Sequence, residues 1–415
     1  MRATSGRRST GTLAGALVMA ALLGGCQTMP FEARPPSPSD PVLGLGAPFP
    51  YLRPGLPPPA AAAGGALATG PGRSADRTRD VYAATRNDRL SKVVRHFPER
   101  LYVTNGRTGA VDVVDPRSYT VVGRFAAGRL PQHVVPSWDL RTLWVNDDRG
   151  GALIPVDPRT GRRGRAVPVA APHDLYFTAN GRHALVLAER LHRIDVRTPH
   201  TMRLQASIPV PCQGLSHADF TADGSYALVG CEQSGQLLKV DVRRRTVAGV
   251  IDLVPPHRSG LAVPRPAPQD VRLSPDGAVF YVADPAGGGT WVVDAAGFRE
   301  IGFIPTGRGA HGLYPSRDGE LLYVTNPGEG TISLISFASR RVVRTWRPAQ
   351  PAAPDLGALS ADGSVLWLSG RRDGAVYAIS TRTGALIRKV QVGGGPHGLC
   401  FYPQPGRYSL GHGLR

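Results

Sequence analysis

The sequence predicts an all-β fold, a seven-bladed β-propeller, from a repeated strand pattern and from the number of repeats. Two short apolar strands, joined by a turn built on Asp or Asn, recur roughly every 40 residues. Two further strands follow each pair, as in GAVYAISTRTGALIRKV at 374–390. Four antiparallel strands in each repeat are typical of a propeller blade.

The turns within each pair contain residues that favour tight reversal of the chain. Asp-Gly between apolar strands, as in LSPDGAVFYVAD at 273–284, is a strong hairpin signal because glycine tolerates a positive φ. We therefore assign the turn residues a structural role and no chemistry. The turns are centred at Asp139, Asn180, Asp223, Asp276, Asp318 and Asp362.

The second strands of the repeats set the number of blades at seven. They begin near Leu101, Leu143, Ala184, Ala227, Phe280, Leu322 and Leu366. The strand at Leu101 has no first strand ahead of it, and the segment PHGLCFYP at 396–403 has no partner after it. We expect these two to pair, because such closure removes exposed strand edges. The propeller then spans residues 89–405, followed by a C-terminal tail at 406–415.

The N-terminus has the pattern of an export signal. Basic residues at Arg2, Arg7 and Arg8 precede an apolar run at 12–23, which is too short to span a bilayer stably. Leu-Gly-Gly-Cys at 23–26 resembles the lipobox of bacterial lipoproteins. The resemblance implies a signal peptide at 1–25, lipidation of Cys26 and anchoring at the extracytoplasmic face of the cell membrane. An ordinary cleaved signal is the alternative.

Residues 26–88 are predicted to be a tether between the lipid and the folded domain. The segment is rich in Pro, Ala and Gly, with Pro57-Pro58-Pro59 and an alanine run as typical stretches. Such a composition buries too little apolar surface to offset the entropy of ordering the chain. We expect the membrane to be contacted through this anchor alone, and the protein to be a monomer.

Arginine gives the chain a formal net charge of +18. A basic surface could attract phosphate-rich headgroups or acidic cell-wall polymers, whereas the same bias could be merely compositional. The arginines are scattered along the sequence, and a nucleic-acid site would cluster them. We therefore predict no nucleic-acid partner and expect a cell-envelope component, a protein or a polar small molecule instead.

Two copies of one pentapeptide identify a resemblance to a known family. LYVTN occurs at 101–105 and again at 322–326, and PHG precedes the strand at 396–403. These motifs resemble the signature of the YVTN β-propeller family, over about residues 90–405. That family is similar in fold to lactone hydrolases and to the haem-binding propeller of nitrite reductases. Its functions are broad, so the fold alone constrains function weakly.

The first strand of each blade lines the axis of a propeller, so polar residues near its start are candidate ligand-binding residues. Seven places before each turn the residues are all polar: Gln132, His173, Ser216, Gln269, His311, Asp355 and, by pattern, His397. The next position carries His133, Asp174, His217, Asp270, Gly312, Leu356 and Gly398. Adjacent strand residues point to opposite sides, so one series should lie closer to the axis. The uniformly polar series is favoured.

This ring of histidines and carboxylates has three interpretations. It could line a hydrated channel with a structural role, bind a polar ligand, or bind a metal ion or haem. No cofactor is predicted as a resident group, and metal or haem remains an alternative. An insertion at 254–268 leads into one first strand, and its His257 and Arg258 could reach over the channel mouth.

Three cysteines remain once Cys26 is set aside. Cys212 precedes a first strand and Cys231 ends the strand paired with it, so a disulfide between them is an option in an oxidising compartment, although the simple register is off by about three residues. Cys400 is expected to be a buried strand residue. The sequence has no CxxC, no CxxCH for covalent haem, no P-loop and no HExxH.

The sequence favours a tethered binding or scaffold module over an enzyme. A rigid ring with polar axial residues is present, and no recognisable catalytic set accompanies it. One alternative is a lactonase-like hydrolase that uses the axial His and Asp residues. The other is a propeller that binds haem or a metal. No catalytic residue is assigned.

Overall fold

The computed structural model describes residues 80–86, 89–254, 264–348 and 353–415. Within them the strands form seven antiparallel sheets, six of four strands and one of five, and these are the blades of a propeller. The predicted all-β, seven-bladed fold is confirmed. Its helical content in the described residues is two 3-10 turns, Ala83–Thr85 and Glu189–Leu191. None of the described helices is long and apolar enough to cross a membrane.

The strands are numbered along the chain and follow the predicted repeats. Blade 1 contains β1 (Arg100–Asn105), β2 (Ala110–Asp115) and β3 (Thr120–Ala126). Blade 2 contains β4 (Pro131–Pro136), β5 (Leu143–Asp147), β6 (Ala152–Asp157), β7 (Arg162–Arg163) and β8 (Val167–Pro168). Blade 3 contains β9 (Asp174–Phe177), β10 (Ala184–Ala188), β11 (Arg193–Arg197) and β12 (Leu204–Pro209). Blade 4 contains β13 (Leu215–Phe220), β14 (Tyr226–Cys231), β15 (Gln236–Asp241) and β16 (Thr246–Asp252).

The remaining blades repeat the pattern. Blade 5 contains β17 (Val271–Leu273), β18 (Val279–Asp284), β19 (Gly289–Asp294) and β20 (Arg299–Pro305). Blade 6 contains β21 (Leu313–Pro315), β22 (Leu321–Asn326), β23 (Thr331–Ser336) and β24 (Arg341–Trp346). Blade 7 contains β25 (Gly357–Leu359), β26 (Val365–Gly370), β27 (Ala375–Ser380) and β28 (Leu386–Gln391). The last strand is β29 (Pro396–Tyr402).

The ring closes as predicted, because β29 is the innermost strand of blade 1. It pairs antiparallel with β1, with Leu101 opposite Phe401 and Tyr102 opposite Cys400. The two ends of the propeller therefore share one sheet, and β29 covers the inner edge of β1. Cys400 is buried, and burial raises the pKa of its thiol to about 12.

The apolar core is divided among the interfaces between blades. In β1, Leu101 and Val103 pack toward blade 7, while Tyr102 packs toward blade 2. This follows from the two-residue period of a strand, which sends successive side chains to opposite sides of the sheet. Apolar clusters of this kind join each neighbouring pair of blades. The inner strands are therefore apolar on both sides, which explains the run of buried residues in LYVTN.

The chain has two distinct faces. We call the face at which each innermost strand begins the upper face, and it also carries the connections from second to third strands. The lower face carries the turns from first to second strands. In these turns the Asp side chains accept local hydrogen bonds, as when Asp276 Oδ1 accepts from Ala278 N at 3.0 Å. The following Gly277 has a φ of +70°, consistent with the Asp-Gly signal.

Both ends of the described chain lie against the lower face. Residues 80–86, predicted to belong to the tether, contact the propeller: Val81 N donates to Pro275 O at 2.9 Å, and Tyr82 Oη donates to Leu273 O at 2.8 Å. The predicted tether boundary at 88 is therefore too late. The tail at 406–415 folds back into the axial channel from the same face, and we call it the axial plug.

Several predicted features lie outside the described residues. These are the signal peptide at 1–25, the lipidation site Cys26, the first part of the tether, and His257 and Arg258 of the insertion.

Candidate functional site

Three histidines converge on the axis of the propeller. His133 lies on β4, His217 lies on β13, and His412 is contributed by the axial plug. Their ring centroids form a near-equilateral triangle with sides of 4.8, 5.1 and 5.2 Å. One ring nitrogen from each can be chosen so that all three lie within 4.8 Å of one another. We call these three residues the histidine triad.

Asp174, at the start of β9, lies beside two members of the triad. Its Oδ1 is 2.9 Å from Nε2 of His412, and its Oδ2 is 3.2 Å from Nδ1 of His217, although the second contact lacks hydrogen-bond alignment. Leu175 N donates to the same Oδ1 at 2.8 Å. Among the described residues no Lys or Arg forms an ion pair with this carboxylate. Asp174 is fully buried, and the side chains that lie beside its carboxylate are histidines.

The ring nitrogens of His133 are unusual. Both Nδ1 and Nε2 are buried and have no hydrogen-bond partner within the described structure. An unpaired buried polar group costs about 1–3 kcal/mol. Burial lowers the pKa of His133 well below its ordinary value, which Asp174 offsets only in part, and burial likewise lowers the pKa of His217. Neutral imidazoles are the forms that can accept a hydrogen bond or bind a metal.

The pKa of Asp174 is displaced in the opposite sense to that expected from burial alone. Burial would raise it, but His412, His133 and His217 outweigh that effect and hold the pKa well below its ordinary value. The centre of the channel therefore contains a buried carboxylate among imidazoles.

The axial plug positions His412 through contacts at both of its ends. Tyr408 stacks on Trp138 with ring centroids 5.8 Å apart, and Leu410 O accepts from Phe177 N at 3.2 Å. Ser409 forms an isolated antiparallel bridge with Leu414. The reversal between them is Gly411-His412-Gly413, where a Cβ on Gly411 would lie 2.6 Å from the Tyr176 ring. The small residues thus let the turn enter deeply enough for His412 to reach Asp174.

A cavity of about 120 Å³ adjoins the triad. The three histidines line it together with Tyr82, Arg272 and Arg317. Arg272 Nη1 is 3.0 Å from Asp270, so its charge is paired. The cavity is smaller than the roughly 300 Å³ at the low end of sites for drug-sized ligands. It can hold a few water molecules or a small anion, and with the plug in place it has no room for a tetrapyrrole.

The two predicted series of axial residues both contribute, in different ways. His133, His217 and Asp174 come from the second series, and the favoured first series adds His173 and His397, whose rings lie 5.9 and 5.0 Å from that of His133. His397 Nδ1 is also 3.2 Å from Gln132 O. The axis is therefore not lined by the first series alone.

Other predicted residues are engaged in contacts away from the triad. His311 Nδ1 hydrogen-bonds Asp355 Oδ1, and Arg371 Nε lies 3.5 Å from Oδ2 of the same residue. Ser216 Oγ donates to Pro268 O at 2.8 Å, and Gln269 donates to Glu232. These side chains hold neighbouring blades and loops together.

Asp270 joins two blades. Its Oδ1 accepts from Val271 N and its Oδ2 accepts from Leu313 N on the next blade, both at 2.9 Å. Asp219 on β13 does the same one blade earlier, accepting from Phe220 N at 2.8 Å and Leu273 N at 2.9 Å. Arg272 and Arg415 neutralise these two carboxylates. Asp174 occupies in blade 3 the position that Asp270 has in blade 5, but with histidines in place of an arginine.

A second group of metal-binding residue types lies at the upper face. His173 Nδ1 is 3.5 Å from Glu189 Oε2, and Asp148 completes the group. Asp148 is also bound by Arg190, with Nη2 3.3 Å from Oδ1. Burial raises the pKa of Glu189, partly offset by His173. Arg190 therefore neutralises the charge of Asp148 in this group, whereas Asp174 beside the triad has no ion pair with Lys or Arg among the described residues.

Five residues of the axial region are not among those predicted from the sequence: His412, Arg415, Tyr82, Asp219 and Arg272. The first two lie in the predicted C-terminal tail, and Tyr82 lies in the predicted tether. One feature of the sequence points to His412. GHG at 411–413 places this histidine between two glycines, in a ten-residue segment too short to have a core of its own.

A disulfide joins Cys212 and Cys231 in blade 4, with Cα atoms 6.1 Å apart. Leu215 lies opposite Cys231, and the register shifts between Leu215 and Ala218. Cys212 thus approaches Cys231 from the connection ahead of β13, which accounts for the apparent register mismatch of three residues.

The profile of the YNCE-like β-propeller family matches residues 97–405. The chain belongs to this family. The family match and the seven blades agree with the predicted resemblance to YVTN-type propellers. No curated protein matches the sequence significantly.

Solved structures similar to this YNCE-like propeller share its fold at low sequence identity. A functionally unknown protein from Desulfotomaculum acetoxidans is 14% identical with a TM-score of 0.59, covering 73% of this chain and 98% of that one. Dihydro-heme d1 dehydrogenase NirN in complex with DHE is 15% identical with a TM-score of 0.56, covering 75% and 78%. Kuenenia stuttgartiensis hydrazine synthase is 18% identical with a TM-score of 0.52, covering 65% and 88%.

Proposed function

We propose that this chain is an extracytoplasmic, lipid-anchored binding module that takes a polar, anionic component of the cell envelope on its upper face. The observation that carries the proposal is the asymmetry of the axial channel. From the lower face the axis is filled by the axial plug and by Tyr82. A partner that uses the axial polar groups would therefore approach from the upper face.

The charge of the upper face indicates the kind of ligand. Its described connections carry nine arginines and seven acidic residues. The arginines are Arg107, Arg129, Arg149, Arg190, Arg265, Arg308, Arg347, Arg371 and Arg372. The acidic residues are Asp148, Glu189, Glu232, Asp270, Glu329, Asp355 and Asp373. A surface with excess guanidinium groups around a polar mouth suits carboxylate or phosphate groups, which bind arginine in bidentate fashion.

Two features support the extracytoplasmic assignment. The first is the lipobox-like sequence ending at Cys26. The second is the Cys212–Cys231 disulfide, since such bonds persist in oxidising compartments. Expression of the full chain with labelled palmitate tests the anchor. We expect label in the wild type and none in a Cys26→Ser variant, and equal labelling of the two would rule out this lipidation site.

The binding proposal is tested with polyphosphate and polygalacturonate as anionic probes and dextran as a neutral one. The test variant R107Q/R129Q/R372Q removes three exposed arginines of the upper face. The control R203Q/R243Q/R382Q removes three exposed arginines of the lower face and makes the same change in net charge. We expect at least tenfold weaker binding for the test variant by titration calorimetry, and less than a twofold change for the control. Equal losses would indicate nonspecific charge attraction and overturn the assignment to the upper face.

The enzymatic and haem-binding alternatives have their own tests. A screen of lactone substrates with the purified protein would reveal hydrolase activity. Loss of that activity in Asp174→Asn would place it at the axis. The structural likeness to NirN, solved with DHE, makes a tetrapyrrole the other candidate ligand. The axial cavity of about 120 Å³ is too small for one, so haem binding in this cavity requires displacement of the axial plug.

A further inference from the structure

We propose that the histidine triad, His133, His217 and His412, binds a single divalent transition-metal ion such as Zn²⁺, and that the axial plug completes the site. This goes beyond binding at the upper face, because the triad lies deeper on the axis and one of its ligands comes from the C-terminal segment.

The first support is the geometry of the nitrogen atoms. A tetrahedral zinc ion binds histidine nitrogens at about 2.0–2.1 Å, which places those nitrogens roughly 3.4 Å apart. In the triad, one ring nitrogen from each histidine lies within 4.8 Å of the other two. Small side-chain rotations would therefore bring three imidazoles to one ion without moving the strands that hold them.

The second support is the set of nitrogens left available. His412 contacts Asp174 through Nε2, which leaves Nδ1 available, and His217 faces Asp174 through Nδ1, which leaves Nε2. His133 has both nitrogens unpartnered in the described structure and its side chain is 1% exposed. A buried imidazole with no partner is difficult to explain as a structural residue, because each unmade hydrogen bond carries a cost.

The third support is the position of Asp174 behind two of the ligands. Histidines that bind metals commonly donate their other ring N–H to a carboxylate, which fixes the tautomer and the ring orientation. Asp174 is placed to do this for His217 and His412 together. The equivalent carboxylate of blade 5, Asp270, is neutralised by Arg272, and Asp219 of blade 4 is neutralised by Arg415, whereas the charge of Asp174 would be balanced by the ion.

The site would keep one open position. The cavity of about 120 Å³ lies against all three histidines and provides room for water or a small anion as the fourth ligand. Three protein ligands with one exchangeable position are typical of accessible zinc sites, whereas structural sites are usually closed by four protein ligands.

The experiment uses the full chain, stripped with a chelator and titrated with Zn²⁺, Co²⁺, Ni²⁺ or Cu²⁺. We expect one equivalent of metal after dialysis, measured by plasma mass spectrometry, and a Co²⁺ absorption spectrum typical of tetrahedral coordination. His412→Gln should weaken binding at least 100-fold, and Asp174→Asn should weaken it by about 10–100-fold. His200→Gln, which changes an exposed histidine, is the matched control and should bind as the wild type does.

Two further variants separate metal binding from a merely structural role. His412→Cys keeps a metal ligand at the plug, so it should restore binding and add a thiolate-to-cobalt charge-transfer band. His173→Gln tests the upper-face group with Asp148 and Glu189, and it should leave the stoichiometry unchanged. Circular dichroism confirms folding of each variant. The proposal is overturned by absence of binding below about 10 µM for all four ions, by wild-type binding in His412→Gln, or by loss of metal in His173→Gln alone.

Discussion

Arg415 Nη2 donates a hydrogen bond to Oδ1 of Asp219 across 2.8 Å, and both side chains are buried. This pair fastens the axial plug to the inner strand of blade 4. The Arg415 guanidinium also lies 4.6 Å from the ring centroid of Tyr82, so it joins the plug to the N-terminal segment. One side chain thus holds three parts of the chain that are far apart in sequence.

The two partners of this pair should contribute unequally to stability. Asp219→Ala removes the acceptor of Phe220 N and Leu273 N as well as the charge facing Arg415, and we expect a loss of about 3–5 kcal/mol in the free energy of unfolding. Arg415→Gln leaves those two backbone bonds intact, so its cost should be smaller. Urea denaturation measures both, and a larger loss for Arg415→Gln would show that Asp219 does not hold the blades together.

Truncation should separate the plug from the closing strand. Removal of residues 406–415 leaves β29 paired with β1, so we expect a folded propeller of reduced stability that no longer has His412 at the axis. Removal of residues 396–415 takes away β29 and exposes the inner edge of β1, and we expect aggregation or loss of the cooperative unfolding transition. Circular dichroism and size-exclusion chromatography distinguish the two. A folded, monomeric product of the longer deletion would argue against closure as a requirement.

The disulfide should stabilise blade 4 measurably. It closes a loop with a sequence separation of 19, for which the chain-entropy argument gives a gain of about 3 kcal/mol. We expect the double variant Cys212→Ser/Cys231→Ser to unfold at lower urea concentration than the wild type, and reductant to shift the wild type but not this variant. Denatured protein whose Cys26 is lipidated should show one reactive thiol in the absence of reductant, from Cys400. Three such thiols would mean that the bond is absent in solution.

Asp355 should make the propeller sensitive to acid. Burial tends to raise its pKa, but His311 and Arg371 outweigh that effect and lower the pKa below the ordinary value of 3.8. A carboxyl with a lowered pKa in the folded state stabilises the protein above its unfolded-state pKa, and this contribution is lost as the pH falls through the folded-state value. Asp355→Asn should therefore cost about 3–5 kcal/mol at pH 7 and progressively less below pH 4. Urea denaturation at several pH values checks this, and a pH-independent difference would contradict it.

The blades were predictable because their determinants are local. A turn such as Asp276-Gly277 reverses the chain through its own side chain and backbone, and the strands alternate with a two-residue period. The closure was also predictable, since PHGLCFYP and LYVTN each lacked a partner. The boundary of the tether was not, because Val81 and Tyr82 are held by contacts with blade 5, almost 200 residues away in sequence.

The centre of the site was only partly predictable. Strand alternation suggested that one of the two series would face the axis, but the register shifts in β4 between Pro131 and Val134 and in β13 between Leu215 and Ala218. Such irregularities re-aim side chains, and His133 and His217 lie within them. The placement of His412 depends on long-range packing of a short Gly-rich segment, which no periodic pattern could indicate.

The contacts of residues 80–86 with the propeller also determine how the molecule would respond to mechanical force. Tension applied upstream of Asp80 would first reach the bonds of Val81 and Tyr82 with Pro275 and Leu273, in blade 5. The pairing between β1 and β29 would carry no force until residues 80–86 detach from the propeller. A tethered molecule could therefore be pulled without opening its ring.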